Sequence, residues 1–211
     1  MELTAHDLIR VNNMEDLLTD LPLPEWAGHS LKRAPYVVVR RAAHPSGYIG
    51  VGIRGAQRSQ RFSAWLRPEV IDYVIKPKEL NSPGIWDKDY RDTIFHPVYS
   101  LQQVGPILTG KGFDWGPTGS TGYELATGIP TVNEYSDLDI VLNVTLPFSP
   151  ATAVLLMNEL EQASVTNLDV QLNTILGGVS LRDYARASKV LVKTAVGPLL
   201  ARPSDIWYNI N

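Results

Sequence analysis

The sequence contains no cysteine. That absence excludes disulfides, thiolate nucleophiles and cysteine-ligated zinc together. No apolar run approaches the roughly 20 residues of a membrane span, so no membrane association is expected. Met1 to Arg10 carries Glu2, His6 and Asp7 without an apolar stretch, which does not read as a secretory signal. The four histidines are scattered and offer no metal-binding spacing. No internal repeat and no low-complexity tract is present. These absences suit a cytoplasmic protein, the location expected here.

What is present supports a folded enzyme. The 211 residues are 44% hydrophobic and 19% charged, enough to bury a core in one domain or two small ones. The net charge of -3 conceals an asymmetry. Residues 1–100 hold 13 Lys+Arg against 12 Asp+Glu, and residues 101–211 hold 6 against 10. Lys32 to Arg67 contains eight basic residues and no acid. Such a segment can attract a polyanion. The acidic balance of the chain and the lack of interleaved aromatics argue against nucleic acid.

Tyr36–Arg41 and Tyr48–Ile53 are rich in Val and Ile and read as a β-hairpin, with Val70–Ile75 as a third strand. The polar stretch Asn81–Pro97 suggests a domain boundary, giving a small β-rich N-terminal domain, 1–90, and a second domain, 91–211. The second half alternates helix and strand. Helices are expected over Val98–Leu108, over Ser120–Thr127, from Ser149-Pro150 to Gln162, and after Ser180. Strands are expected at Phe113–Gly116, Asp137–Leu142, Asn167–Leu172 and Val190–Val192. The pattern is α/β.

The chemistry concentrates in Trp115–Leu142. Side chains alternate across a strand, so Leu138, Ile140 and Leu142 face a core while Asp137 and Asp139 share the other face. Two carboxylates about 4 Å apart repel by roughly 4 kcal/mol at an effective dielectric of about 20. A divalent cation relieves that cost, and oxygen ligands favour magnesium or manganese. The same alternation in Asn167–Leu172 puts Asp169 on a polar face. As a neighbour it would complete three carboxylates around one or two metal ions, the arrangement phosphoryl transfer needs. Gly119-Ser120, a Gly-rich turn entering a helix, offers backbone N–H groups and a hydroxyl to an anion.

Three other motifs fail on inspection. Gly105–Gly112 almost spells a P-loop, but Gly112 stands where the metal-binding hydroxyl belongs. Gly50–Gly55 spells GxGxxG, but Ala56–Phe62 is too polar to be the packed helix of a dinucleotide fold. Thr118–Gly122 resembles a hydrolase elbow with Thr118 replacing the first glycine.

A Gly-Ser turn and helix followed by Asp-x-Asp on a strand resembles the nucleotidyltransferase superfamily, with 16 residues here between Ser120 and Asp137. The run Trp115-Gly-Pro-Thr-Gly-Ser-Thr-Gly-Tyr-Glu-Leu-Ala-Thr-Gly128 with Ser136-Asp-Leu-Asp139 is similar, more narrowly, to the phosphoribosyl-dephospho-CoA transferases of malonate decarboxylase. His6-Asp7-Leu8, Val37–Ala42, Arg54–Arg61, Leu191–Thr194 and Gly197-Pro198 extend the likeness over most of the chain. The resemblance implies a nucleotidyltransferase-like domain of mixed sheet and flanking helices. It implies triphosphoribosyl-dephospho-CoA as donor and a serine of the apo acyl-carrier subunit of malonate decarboxylase as acceptor. Asp137 and Asp139 would hold magnesium, and one of them or Asp169 would take the serine proton. Lys193 is the best-placed base of the second half by the same likeness. Arg54, Arg58 and Arg61 are expected to clamp donor phosphates, with docking of the acidic carrier subunit as the rival use of the same charges. The alternatives are a nucleotidyltransferase for another acceptor and a non-catalytic carrier-protein or nucleotide-binding module.

Overall fold

Alternating apolar residues drive the first half of the chain into a sheet. In the computed structural model, which describes residues 2–44, 46–57, 59–86 and 96–208, the chain divides into two units, Met1–Lys76 and Pro77–Asn211. The first holds strands β1 (Leu8–Arg10), β2 (Leu17–Leu18), β3 (Tyr36–Val39), β4 (Ile49–Arg54), β5 (Arg61–Leu66) and β6 (Val74–Ile75). They form one sheet in the order β2-β5-β4-β3-β1-β6, antiparallel throughout. Helix α1 (Glu25–Arg33) buries Ala27 and Leu31 in the core with Ile9, Val37, Val39, Val51, Ile53, Ala64 and Leu66. Each such aliphatic side chain contributes about 1.5–3 kcal/mol by burial.

The expected hairpin is present as β3 and β4. The third strand is shorter than expected. Pro68 starts a 3-10 turn over Pro68–Val70 that consumes the N–H of Ile71, leaving only Val74–Ile75 to pair with β1. At the other end, Asp7 is fully buried and accepts hydrogen bonds from the Thr4 backbone N–H at 2.9 Å and from Lys76 Nζ at 3.1 Å. This ties the first residues of the unit to its last.

The second unit begins earlier than the expected 1–90 and 91–211 division. Trp86, in α2 (Pro83–Trp86), is only 4% exposed and donates from Nε1 to the Leu80 carbonyl at 2.7 Å. Its carbonyl accepts from Gln102 on α3 (Pro97–Gly110), and its ring meets Trp115. A Cβ on Gly105 would lie 2.6 Å from the Trp86 ring, which explains a glycine inside α3. The polar look of Asn81–Pro97 therefore hides a segment whose tryptophan belongs to the second core.

That core lies on a mixed sheet. Strands β7 (Asp114–Pro117), β8 (Leu138–Asn143), β9 (Leu168–Asn173), β10 (Gly178–Ser180), β11 (Val190–Thr194) and β12 (Gly197–Ala201) are ordered β12-β11-β10-β9-β8-β7. β8 and β9 are parallel and the other pairings antiparallel. Helix α4 (Gly119–Thr127) links β7 to β8, and α5 (Pro150–Ala163) is the crossover between β8 and β9. Ser149 caps α5 by accepting from the Thr152 N–H. Ser180 caps α6 (Leu181–Arg186) in the same way through Asp183. Among the described residues no helix is long and apolar enough to cross a membrane.

Candidate active site

The site is built around one turn. β7 ends at Pro117 and α4 begins at Gly119, with Thr118 alone between them. The Thr118 N–H donates to the Asp139 carbonyl at 2.8 Å, fastening the turn to β8. Gly119 has φ +59, a conformation glycine adopts without steric cost. A Cβ there would overlap the Asp139 carboxylate, with Cγ only 2.6 Å away. The Gly-Ser turn and the Asp-x-Asp strand are thus one packed object. Thr118 makes no side-chain capping hydrogen bond to α4. The start of the helix, its positive dipole end, thus packs against the Asp139 carboxylate. Ser120 is buried in that turn.

Strand alternation holds as expected. Leu138, Ile140, Leu142, Leu168, Val170 and Leu172 are buried. Asp139 is half-buried on the opposite face, and Asp137, also half-buried, stands one alternation earlier, immediately before β8. The parallel register sets Asp139 beside Asp169. Lys193 joins the same face, because Asn173 pairs with Gly178 and Gly178 with Lys193. Its Nζ reaches Gln171 Oε1 at 3.4 Å, one alternation from Asp169.

Among the described residues no group of three His, Asp or Glu side chains is placed to hold a metal ion. Asp169 is exposed. Asp137 and Asp139 remain as an oxygen pair. A pair is sufficient for magnesium, which keeps several waters and binds through one or two carboxylates plus substrate phosphates.

Two residues of this region were not singled out from the sequence. Glu124, on α4 and 8% exposed, accepts hydrogen bonds at Oε2 from the Thr131 N–H at 2.7 Å and the Val132 N–H at 2.8 Å. Thr131 Oγ1 donates to the Ser120 carbonyl at 3.0 Å. The long spacing between Ser120 and Asp137 is therefore a loop tied back onto α4. His96 caps α3, its Nδ1 accepting from the Val98 N–H at 3.2 Å. Burial pushes its pKa below the ordinary histidine value, and the Glu124 charge partly offsets this. A capping-box search would not have found Glu124, because it bonds a loop rather than its own helix end.

The expected arginines belong to the first unit. Arg54 and Arg61 are register partners across the β4–β5 hairpin. Arg58 lies outside the described residues.

Comparison with known proteins decides the family. Residues 94–204 match the family described as the phosphoribosyl-dephospho-CoA transferase MdcG C-terminal domain, and residues 4–77 match its N-terminal domain. The chain belongs to the phosphoribosyl-dephospho-CoA transferase family. It is 37% identical over 210 residues to the phosphoribosyl-dephospho-CoA transferase of Azotobacter vinelandii, covering 97% of this chain and 94% of the relative. It is 40% identical over 203 residues to that of Pseudomonas syringae pv. tomato, covering 92% of each. No solved structure matches the chain. Both domains of the transferase family are thus accounted for, and the first match ends at residue 77, one residue past the first unit.

Proposed function

We propose that the chain transfers the phosphoribosyl-dephospho-CoA group from triphosphoribosyl-dephospho-CoA to a serine hydroxyl of the apo acyl-carrier subunit of malonate decarboxylase. The observation that supports this reading most is the packing of Gly119 against the Asp139 carboxylate, in a chain that matches both family domains. It joins an anion-binding helix start to an acidic pair, the two parts a nucleotidyl transfer requires.

In this reading the serine oxygen attacks the α-phosphorus of the donor. The bond from that phosphorus to the bridging oxygen breaks, pyrophosphate departs, and a phosphodiester remains on the serine. Asp137 and Asp139 would hold magnesium or manganese. Bound there, the ion neutralises charge developing on the phosphate oxygens. The N–H groups of the first turn of α4 orient the donor phosphates, and Lys193 adds a positive charge to the same sheet face. Asp169, exposed beside Asp139, is the carboxylate left to take the serine proton.

The test is to mix the chain with donor, magnesium and apo carrier subunit. The carrier should gain the mass of the prosthetic group with one pyrophosphate released per carrier, and chelation should stop it. Pyrophosphate release without carrier modification would assign a different acceptor. No release with any divalent metal would remove the nucleotidyl-transfer reading.

A further inference from the structure

We infer that the outer edge of the second sheet docks the acceptor protein. Its centre is apolar, with Leu191 and Leu200 exposed, and its rim is Lys189, Lys193 and Arg202. β11 alternates Val190-Leu191-Val192-Lys193, and Val190 and Val192 are buried in the core. Leu191 and Lys193 therefore stand on the opposite face. Register sets Leu200 directly across from Leu191 and Pro198 across from Lys193. Leu191 is 47% exposed and Leu200 66%. Leucines scattered singly over a surface need no explanation, but two opposite one another at the end of a sheet form a patch. β12 is the last strand of that sheet, and its Pro198 has no N–H to offer a further strand. The edge is thus suited to side-chain contact rather than strand addition.

The charge around the patch is of one sign. Residues 101–211 hold 6 Lys+Arg, and four of them, Arg186, Lys189, Lys193 and Arg202, fall within 186–202, which contains no acid. The other two, Lys111 and Arg182, are paired with Glu159 and Glu161. Val190 pairs with Ala201, so Lys189 and Arg202 leave the ladder side by side, both exposed. Lys193 stands on the other side of the leucines. An apolar centre with a cationic rim fits a partner whose carboxylates flank apolar residues. The same sheet face carries Asp139. Gly178 joins Lys193 to Asn173, and Asn173 lies beside Asn143, two alternations from Asp139. Near β7 and β8 this face is covered: Val141 is buried, and a Cβ on Gly116 would overlap the Pro77 carbonyl. Gln171 on β9 is buried as well. At β11 and β12 the face opens on the two leucines. Three strand spacings of about 4.8 Å separate β11 from β8, about 14 Å in all. A protein resting on the edge spans that gap and brings its serine to Asp139. The acceptor is the one named under Proposed function, and in that respect the inference rests on that reading.

Calorimetric titration of the apo acyl-carrier subunit into the full chain, without donor or metal, reads the docking surface alone. Transfer rates with donor and magnesium are measured on the same proteins. Wild type should bind the carrier, less tightly as salt is raised. Leu200→Asp, Lys189→Glu and Arg202→Glu should each weaken that binding about tenfold or more and raise the carrier KM to match. The donor KM, and kcat at saturating carrier, should stay unchanged. Leu155→Asp, at a similarly exposed leucine on α5, should behave as wild type. Equal carrier affinity in all folded variants, or no carrier binding by wild type, would overturn the surface. A raised donor KM with normal carrier binding would overturn it in favour of a donor site. A wild-type dimer that Leu200→Asp makes monomeric, at unchanged carrier affinity, would overturn it in favour of a second copy of the chain. If the variants lose a carrier that wild type binds but does not modify, the surface stands and the reading under Proposed function fails.

Discussion

Gly119 and Asp139 show how tightly single residues constrain each other here. Any side chain at position 119 must both adopt a left-handed backbone and displace the Asp139 carboxylate. Gly119→Ala is therefore expected to cost about 1–3 kcal/mol of stability through backbone strain. Its larger effect should be on chemistry, because shifting a reacting group by about 1 Å can cost roughly a hundredfold in rate. Ser120→Ala, which leaves the backbone alone, should retain much more activity. Steady-state transfer rates of the two variants check this, and equal rates would contradict it. Thr121 gives the opposite expectation. It is fully buried, and its hydroxyl has no hydrogen-bond partner among the described residues. Leaving such a group unsatisfied costs about 1–3 kcal/mol, so Thr121→Val should raise the unfolding temperature. A lower temperature would show that the hydroxyl is used.

The helices and loops around the site carry their own expectations. Glu124 holds the loop before Asp137 through two backbone N–H groups, so Glu124→Gln, which keeps an acceptor oxygen, should preserve transfer. Glu124→Ala should lower the catalytic rate more than it raises the donor KM, because the loop delivers a residue of the acidic pair. Equal behaviour of the two variants would assign the loop's order to other contacts. The α3 cap is sensitive to pH. A histidine whose folded pKa lies below its unfolded value of 6.5 contributes stability that is complete above 6.5 and is lost as pH falls through the folded pKa. Protonation of Nδ1 would also remove the acceptor for the Val98 N–H. Going from about pH 7.5 to 5.5, wild type should lose more thermal stability than His96→Asn, whose side chain can cap at either pH. Equal losses would remove His96 as the cause. These elements also show what was legible. The α5 and α6 caps were readable because Ser149-Pro150 and Ser180 act within a few residues. The strand β5 follows a plain alternation, Arg-Phe-Ser-Ala-Trp-Leu, yet its basic flank obscured it. Glu124 and the placement of Trp86 were not legible, because both depend on partners that only the tertiary fold brings near.

At the scale of the whole chain, the sequence predicted two domains and an α/β second half, and the structure divides accordingly. The boundary moved because tryptophan packing outweighs local polarity. The placement of Asp137 and Asp139 opposite the buried residues of β8 was legible because strand alternation is a local rule. The register that sets Asp169 beside Asp139 was not legible, because strand pairing depends on the tertiary fold. The charge asymmetry also has a physical place. Arg54 and Arg61 pair across the first sheet, and the acidic pair stands beside β8 of the second. The central claim is that Asp137 and Asp139 serve phosphate chemistry at the start of α4. Its most direct test is carrier-dependent pyrophosphate release by Asp137→Asn and Asp139→Asn, with thermal unfolding measured alongside. The expected result is a loss of release by orders of magnitude in each variant, with the unfolding temperature unchanged or slightly raised as like charge is removed. Near wild-type release by either folded variant would contradict the claim.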